Sequence, residues 1–173
     1  MTFTLPEETI PIELGHQFKS FVSGEQNPDR FTIRYYMNEA EGLVYAHVVF
    51  GDKAQGPPGH AHGGAISAIF DELMGVCCWV NGHPAMTAQY TTRFMMPVPI
   101  QKEVQFMAWI HETEDNKVVL KSKLLDENEN RYAEAKGLFI RQDMRTFEKM
   151  GQTMEAATTH QSGFIDINAG SKE

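Results

Sequence analysis

The amino-acid sequence predicts an α+β protein in which one curved antiparallel β-sheet wraps around one long central helix. Segments rich in β-branched and aromatic residues lie on both sides of a single apolar segment with helical periodicity. No second segment of comparable hydrophobicity is available to cover a sheet, so one sheet around one helix is the economical architecture. The 173 residues suffice for one domain with a substantial core and leave little room for a second.

Two strands are predicted before the helix. Residues 31–38 and 43–50 are rich in β-branched and aromatic residues, and they flank the turn-like sequence NEAEG. Residues 51–59 contain glycines and prolines that cannot continue a ladder, and we interpret them as a loop. Residues 1–28 hold several prolines among scattered apolar residues, which indicates an extended or partly helical lead-in segment.

The helix is predicted over residues 65–80, where apolar residues recur at helical spacing. These are Ile66, Ile69, Phe70, Leu73, Val76, Cys77 and Val80. The sequence Asn81-Gly82 supplies a stop signal. Because the segment is apolar nearly all round, we expect it to be buried on most sides. Cys77 and Cys78 are the only cysteines, and we expect them to fill the core as thiols.

Four strands are predicted after the helix, at residues 87–95, 103–114, 117–127 and 131–143. Two strands, one buried helix and four strands form the hotdog arrangement. Residues 144–157 are predicted to add a short amphipathic helix, and residues 158–173 to form a flexible C-terminal tail. We therefore divide the chain into the lead-in segment 1–28, a single hotdog domain at 29–157 and the tail.

The charge pattern argues against two classes of partner. A formal net charge of -8 disfavours broad electrostatic affinity for nucleic acid or for an anionic membrane. The N-terminal sequence has no basic region followed by an apolar core, and Asp71 and Glu72 interrupt the apolar segment 65–80. We therefore expect a cytoplasmic protein without a nucleic-acid or membrane partner.

The sequence HAHGG at residues 60–64 leaves three alternatives for the start of the helix. His60 and His62 supply at most two metal ligands, and no residue at a familiar spacing completes a set, so we expect no metal. No GxGxxG or GxxxxGK[ST] is present, which disfavours a nucleotide loop. The third alternative is favoured: the N–H groups of Gly63 or Gly64, with the helix dipole, polarise a thioester carbonyl and stabilise its oxyanion.

Asp71 is the candidate catalytic carboxylate. Its neighbours Phe70, Leu73 and Met74 are apolar, so an unpaired carboxylate there would be costly without a task. It follows Gly63 by eight residues, which in a helix is about 12 Å, too far for both to act on one carbonyl within one chain. We therefore predict a homodimer with two equivalent sites, each taking Gly63 from one chain and Asp71 from the other.

Small residues form a narrow face on the same helix. Ser67, Asp71, Gly75 and Cys78 recur at spacings of three and four. This face is suited either to a substrate or to a second, antiparallel copy of the helix near a two-fold axis. We take Gly64 and Ser67 as candidate substrate-binding residues.

These residues resemble those of a known family. His62-Gly63-Gly64 followed by six residues and Asp71 resembles the hotdog-fold acyl-CoA thioesterases of the PaaI-like and 4-hydroxybenzoyl-CoA thioesterase branch. The sequence MTAQYTTRFMMPVPI is similar to the strand after the helix in acyl-CoA thioesterase superfamily members four and five. GPPGHAHGG and LLDENENRYAEAKGLFI also look like that family, so the resemblance runs from about residue 40 to 141.

The resemblance implies hydrolysis of an acyl-CoA thioester by a homodimer or a dimer of dimers, with no metal and no cofactor. It implies that Asp71 is the catalytic carboxylate, acting as general base or as nucleophile. Gly63 is then the backbone donor to the thioester oxygen, and His62 shapes the loop and assists on the oxyanion side. Thr87 matches a hydroxyl residue that positions water or the carboxylate.

The sequence departs from the family pattern just before the Pro-x-Pro, where relatives often have basic residues and this chain has Met95 and Met96. Arg93 is the nearby candidate for binding coenzyme A phosphates, with a solvated surface residue as the alternative. Alternation places Arg93 on the opposite sheet face from Phe94. Two other functions stay open: a hotdog module that binds acyl-CoA without turnover, and a hotdog enoyl-CoA hydratase or dehydratase.

Overall fold

The computed structural model describes residues 3–14, 20–24 and 26–149. Within these residues, seven strands form one antiparallel sheet and one long helix lies against it, which confirms the predicted fold class. The elements are β1 (Thr9–Ile12), β2 (Phe31–Asn38), β3 (Leu43–Phe50), α1 (Gly63–Val80), β4 (Ala85–Phe94), β5 (Glu103–Glu114), β6 (Lys117–Leu125) and β7 (Arg131–Arg141). A short 3₁₀ turn spans Asp52–Ala54.

The strand order places β4 at one edge of the sheet. The order is β1-β2-β3-β5-β6-β7-β4, and every neighbouring pair is antiparallel. The chain leaves β3, forms α1 across one face of the sheet, and returns as β4 beside β7. The strand that follows the helix is therefore open to a further partner along one edge.

The strand β1 was not expected from the sequence. It is four residues long, contains Pro11, and pairs with β2 from Thr9 opposite Asn38 to Ile12 opposite Tyr35. Proline is tolerated there because β1 lies at the sheet edge, where a missing N–H costs no ladder hydrogen bond. The lead-in segment is thus partly a strand.

Other element boundaries differ by a few residues. The helix begins at Gly63, two residues before the predicted start at residue 65, and β4 spans Ala85–Phe94 rather than 87–95. Residues 144–149 are helical, as the start of the predicted C-terminal helix requires. The rest of that helix and the predicted tail, 158–173, lie outside the described residues.

The core lies between α1 and the inner face of the sheet. The buried residues of α1 are Ile66, Ile69, Phe70, Leu73, Met74, Val76, Cys77 and Cys78. Phe70 meets Phe106 of β5 edge to face, with ring centroids 4.9 Å apart. By length and hydropathy α1 could cross a membrane, but here it packs against the sheet.

The two cysteines are free thiols within this core, as expected. Burial raises the pKa of both Cys77 and Cys78 to about 12, and for Cys77 the neighbouring Cys78 adds to the effect. They therefore stay protonated near neutral pH and act as small core residues.

Candidate active site

The start of α1 presents one free backbone N–H group. His62 is the N-cap residue, and its Nδ1 accepts a hydrogen bond from the Gly64 N–H at 2.9 Å. The Ala65 and Ile66 N–H groups donate to the His62 carbonyl oxygen at 2.9 and 3.2 Å. Among the described residues, no acceptor is found for the Gly63 N–H. The positive end of the helix dipole thus offers Gly63, and not Gly64, as a donor.

His62 acts on this site through its cap. Because Nδ1 accepts the Gly64 hydrogen bond, that nitrogen carries no proton and the neutral ring is protonated on Nε2. The ring is close enough that a Cβ at Gly64 would lie 3.0 Å from Nδ1. A glycine at this position is therefore what allows the histidine to close over the helix start.

The part of the chain that the structure describes contains no cluster of side chains suited to hold a metal ion. No group of three His, Cys, Asp or Glu side chains lies close enough together there to hold an ion. His60 Nδ1 instead lies 2.9 Å from the Pro58 carbonyl oxygen, within the preceding loop. The two histidines of HAHGG thus have separate roles, and only His62 reaches the helix start.

Asp71 lies two turns further along α1 and is half-buried. The Thr87 hydroxyl donates a hydrogen bond to Asp71 Oδ1 at 2.8 Å. Within the described ranges, Oδ2 has no hydrogen-bond partner and Asp71 forms no ion pair. Burial raises the pKa of Tyr90, and the nearby Asp71 charge adds to this. One carboxylate oxygen is therefore fixed and the other is available to a water or to an electrophile.

The strand β4 runs alongside α1 and joins both parts of the site. Thr87, near its start, contacts Asp71, and Phe94, at its end, lies against Gly63. A Cβ at Gly63 would lie 3.3 Å from Phe94 Cζ. A bulge between Thr87 and Gln89 sets which side chains face α1. Phe94 was not expected at the site, although alternation had placed it opposite Arg93.

The remaining predicted site residues do not all lie together. Ser67 is half-buried one turn before Asp71, and a Cβ at Gly75 would meet open space, so the small face of α1 exists as far as Gly75. Cys78, by contrast, is fully buried and ends that face. The Arg93 side chain is 75% exposed and lies on the other sheet face, with its Nη1 3.8 Å from a Glu134 carboxylate oxygen.

Both carboxylate oxygens of Glu72, the residue after Asp71, accept hydrogen bonds from other elements. Tyr35 Oη donates to its Oε1 at 2.7 Å, and the Ser20 hydroxyl donates to its Oε2. Burial raises the pKa of Tyr35 well above its ordinary value, and the Glu72 charge adds to this. Glu72 therefore ties α1 to β2 and to the lead-in segment, and the two adjacent carboxylates have different environments.

The family comparison matches the region that contains this site. A family model described as "Thioesterase superfamily" matches residues 58–133. Residues 58–133 are therefore similar to proteins of the thioesterase superfamily. The matched region contains His62, Gly63, Asp71 and Thr87, so the catalytic candidates all lie within it.

Two curated relatives are similar to the chain over most of its length. It is 29% identical over 143 residues to acyl-coenzyme A thioesterase THEM4 of Bos taurus, a match that covers 82% of this chain and 59% of that protein. It is 25% identical over 134 residues to acyl-coenzyme A thioesterase THEM5 of Homo sapiens, covering 69% and 53%. The chain therefore spans a little over half the length of these relatives.

Solved structures show the same hotdog fold. A thioesterase superfamily protein superposes with a TM-score of 0.64 at 25% identity, covering 70% of this chain and 60% of that one. The Escherichia coli PaaI protein gives a TM-score of 0.58 at 16% identity, covering 65% and 80%. The Streptococcus mutans protein smu.793, solved with acetyl CoA bound, gives 0.59 at 16% identity, covering 71% and 97%.

Proposed function

We propose that this chain is an acyl-CoA thioesterase, which hydrolyses an acyl-CoA to a free carboxylic acid and coenzyme A. One observation carries the proposal: a free helix-start N–H at Gly63 and a half-buried carboxylate at Asp71, fixed by Thr87, lie along one edge of a hotdog domain. The names of the THEM4 and THEM5 relatives and the acetyl CoA bound to a structural neighbour support this substrate class.

We propose further that each active site combines two copies of the chain. Gly63 and Asp71 are eight residues apart on one straight helix, so their backbones are separated by about 12 Å. One carbonyl group cannot contact both. An antiparallel second copy of α1 brings Gly63 of one chain towards Asp71 of the other, and two-fold symmetry then creates two equal sites.

The edge strand β4 supports this dimer. No strand of the described residues pairs with its free edge, and unpaired edges are normally protected or covered. Apolar side chains cluster there with large exposed fractions: Met86 at 43%, Phe94 at 50%, and Met95 and Met96 at 39% each. A second copy of the chain at this edge would cover these side chains and would lie where the two-chain site requires it. A dimer of dimers and a cytoplasmic location stay predictions.

The proposed chemistry assigns one step to each group. The thioester oxygen accepts a hydrogen bond from the Gly63 N–H, and the helix dipole stabilises the charge that develops there. Asp71 of the other chain takes a proton from the attacking water, or attacks the carbonyl carbon itself and is released by water afterwards. The carbon–sulfur bond then breaks and coenzyme A leaves as the thiol. In both routes Thr87 holds the carboxylate in position.

Thiol release from short-chain, medium-chain, long-chain and aromatic acyl-CoAs tests the proposal. We expect the wild type to hydrolyse at least one class, and Asp71→Asn to lower kcat by at least ~10²-fold with substrate binding retained. Asp115→Asn, in the turn between β5 and β6, is a matched control that should keep full activity. Full activity in Asp71→Asn would contradict the mechanism, and tight acyl-CoA binding without thiol release would identify a binding module instead.

A further inference from the structure

We infer that the outer face of the sheet, on the side away from α1, carries a binding groove for a nucleotide with two or more phosphates. Side chains of β4, β5, β6 and β7 line this outer-face groove, whose volume is about 860 Å³. That volume falls in the range of small-molecule sites. The cations that line it are Arg93, Lys121, Lys123, Arg131 and Lys136.

The charge of the groove is opposite to that of the chain. Among the described residues, five lysines and arginines line it and Glu134 is the one acidic lining residue, in a chain with a formal net charge of -8. A concave surface with one sign of charge focuses its field and concentrates counter-ions. The groove is thus suited to a multivalent anion.

Three lysines in the groove have no carboxylate partner. Glu134 lies 2.8 Å from Arg131 and 3.8 Å from Arg93, so it forms ion pairs with the two arginines and not with the lysines. Within residues 3–14, 20–24 and 26–149, no carboxylate lies at ion-pair distance from Lys121, Lys123 or Lys136. Lys121 and Lys136 stand directly opposite each other on β6 and β7, an arrangement that destabilises a sheet unless an anion lies between them.

An aromatic side chain continues this row of lysines. Trp109 of β5 is paired with Lys121, and it is half-buried on the same face. Its indole offers a flat surface on which a base can stack, while lysine ammonium groups bind phosphate. Adjacent strands are about 5 Å apart, so Trp109 and Lys136 are separated by about 10 Å, which an extended nucleoside diphosphate spans.

Two sources of this ligand share the same chemistry. One is a free nucleoside diphosphate, and the other is the nucleotide end of coenzyme A, an adenosine with a 3′-phosphate and a 5′-diphosphate. The second source rests on the proposed function. The groove and the Asp71–Thr87 contact lie on opposite faces of β4, since Thr87 faces α1 while Arg93 faces the groove.

Calorimetric titration of the whole chain with ADP tests the groove without depending on catalysis. We expect ADP to bind the wild type. In the double variant Lys121→Glu/Lys136→Glu, we expect the Kd for ADP to rise at least tenfold. Trp109→Leu should also weaken ADP binding while leaving inorganic phosphate unaffected. Lys102→Glu, an exposed lysine outside the groove, is the matched control and should bind ADP as the wild type does.

Three results would overturn the inference. They are no ADP binding by the wild type, equal ADP affinity in the double variant, and inorganic phosphate binding as tightly as ADP. The double variant could also have a lower mass in solution than the wild type. Together with no ADP binding by the wild type, that result would show that this face packs against another copy of the chain instead.

Steady-state kinetics then distinguishes the two sources. If the groove holds coenzyme A, the double variant raises KM for an acyl-CoA at least tenfold but leaves KM for the matching acyl-pantetheine unchanged. If it holds a separate nucleotide, both KM values stay unchanged and ADP binds in the presence of coenzyme A. Failure of the thioesterase proposal would leave the ADP titration intact, so the two failures are distinguishable.

Discussion

At the scale of single residues, the role proposed for Gly63 resides in its backbone. Its N–H remains free because the His62 cap accepts the hydrogen bond of the Gly64 N–H instead. Because Gly63 has no side chain, Phe94 can lie against the helix start. A substitution that changes only the side chain therefore tests the packing and not the hydrogen bond. Proline is the residue that removes the N–H, and it is tolerated at the first position of a helix.

We expect Gly63→Pro to lower kcat for acyl-CoA hydrolysis by about 10²–10³-fold, as loss of one oxyanion donor does. The His62 backbone, at φ −67° and ψ 136°, already has the extended conformation that a following proline requires. Gly63→Ala introduces the same Cβ beside Phe94 but keeps the N–H, so it is the matched control. Equal loss of kcat in both variants would mean that crowding, and not the hydrogen bond, limits activity.

Some of these site residues could be predicted from the sequence, and others could not. The spacing of Gly63 and Asp71, and the resemblance that pointed to Thr87, concern residues whose type and position are visible in the chain. The contacts of Glu72 with Ser20 and Tyr35 join residues 52 and 37 positions apart, and Phe94 reaches Gly63 only because β4 returns along α1. Such contacts depend on the tertiary path, which single-chain periodicity does not contain.

At the scale of elements, α1 was predicted to within two residues because its apolar periodicity is strong. The strand β1 was missed because four residues with a proline carry no alternation, and its stability comes from pairing with β2. The strands after the helix were predicted individually, but not that β4 pairs with β7 at the sheet edge. That order decides which strand is open to a second copy.

Charged substitutions at the end of β4 test the role of this edge. We expect Met95→Lys/Met96→Lys to give a monomer and to reduce thioesterase activity at least ~10²-fold, because the proposed dimer would bury two lysines and the proposed site needs both chains. Met144→Lys is the matched control, since Met144 is 41% exposed and the two β4 methionines 39%. Light scattering measures the mass. An active monomer would contradict the two-chain site.

At the scale of the whole molecule, stability is coupled to pH through His47. This residue is 5% exposed on the outer face, with ring centroids 5.3 Å from Phe3 and 5.1 Å from Tyr36. Burial lowers the pKa of His47; the Glu103 charge opposes this effect and Arg34 adds to it. The unfolded chain therefore binds a proton at a higher pH than the native protein does, and stability rises with pH in that window.

We expect the free energy of unfolding to fall as the pH drops below about 6.5, the value at which an unfolded histidine titrates. His47→Gln removes this group, so the variant should lose less stability than the wild type between neutral pH and pH ~5. Urea denaturation at a series of pH values measures the slope. His83, whose pKa burial also lowers, accounts for part of the slope that remains. Identical slopes in both proteins would contradict the assignment to His47.

In the proposed dimer, each active site takes Gly63 from one chain and Asp71 from the other. Complementation between Gly63→Pro and Asp71→Asn chains tests it most directly, because each variant alone is expected to be inactive. After subunit exchange at equal amounts, half of the dimers are mixed, and each mixed dimer has one site with both native groups. We expect recovery of about a quarter of the wild-type activity per chain. A mixture as inactive as its two parents would show that Gly63 and Asp71 do not act across two chains.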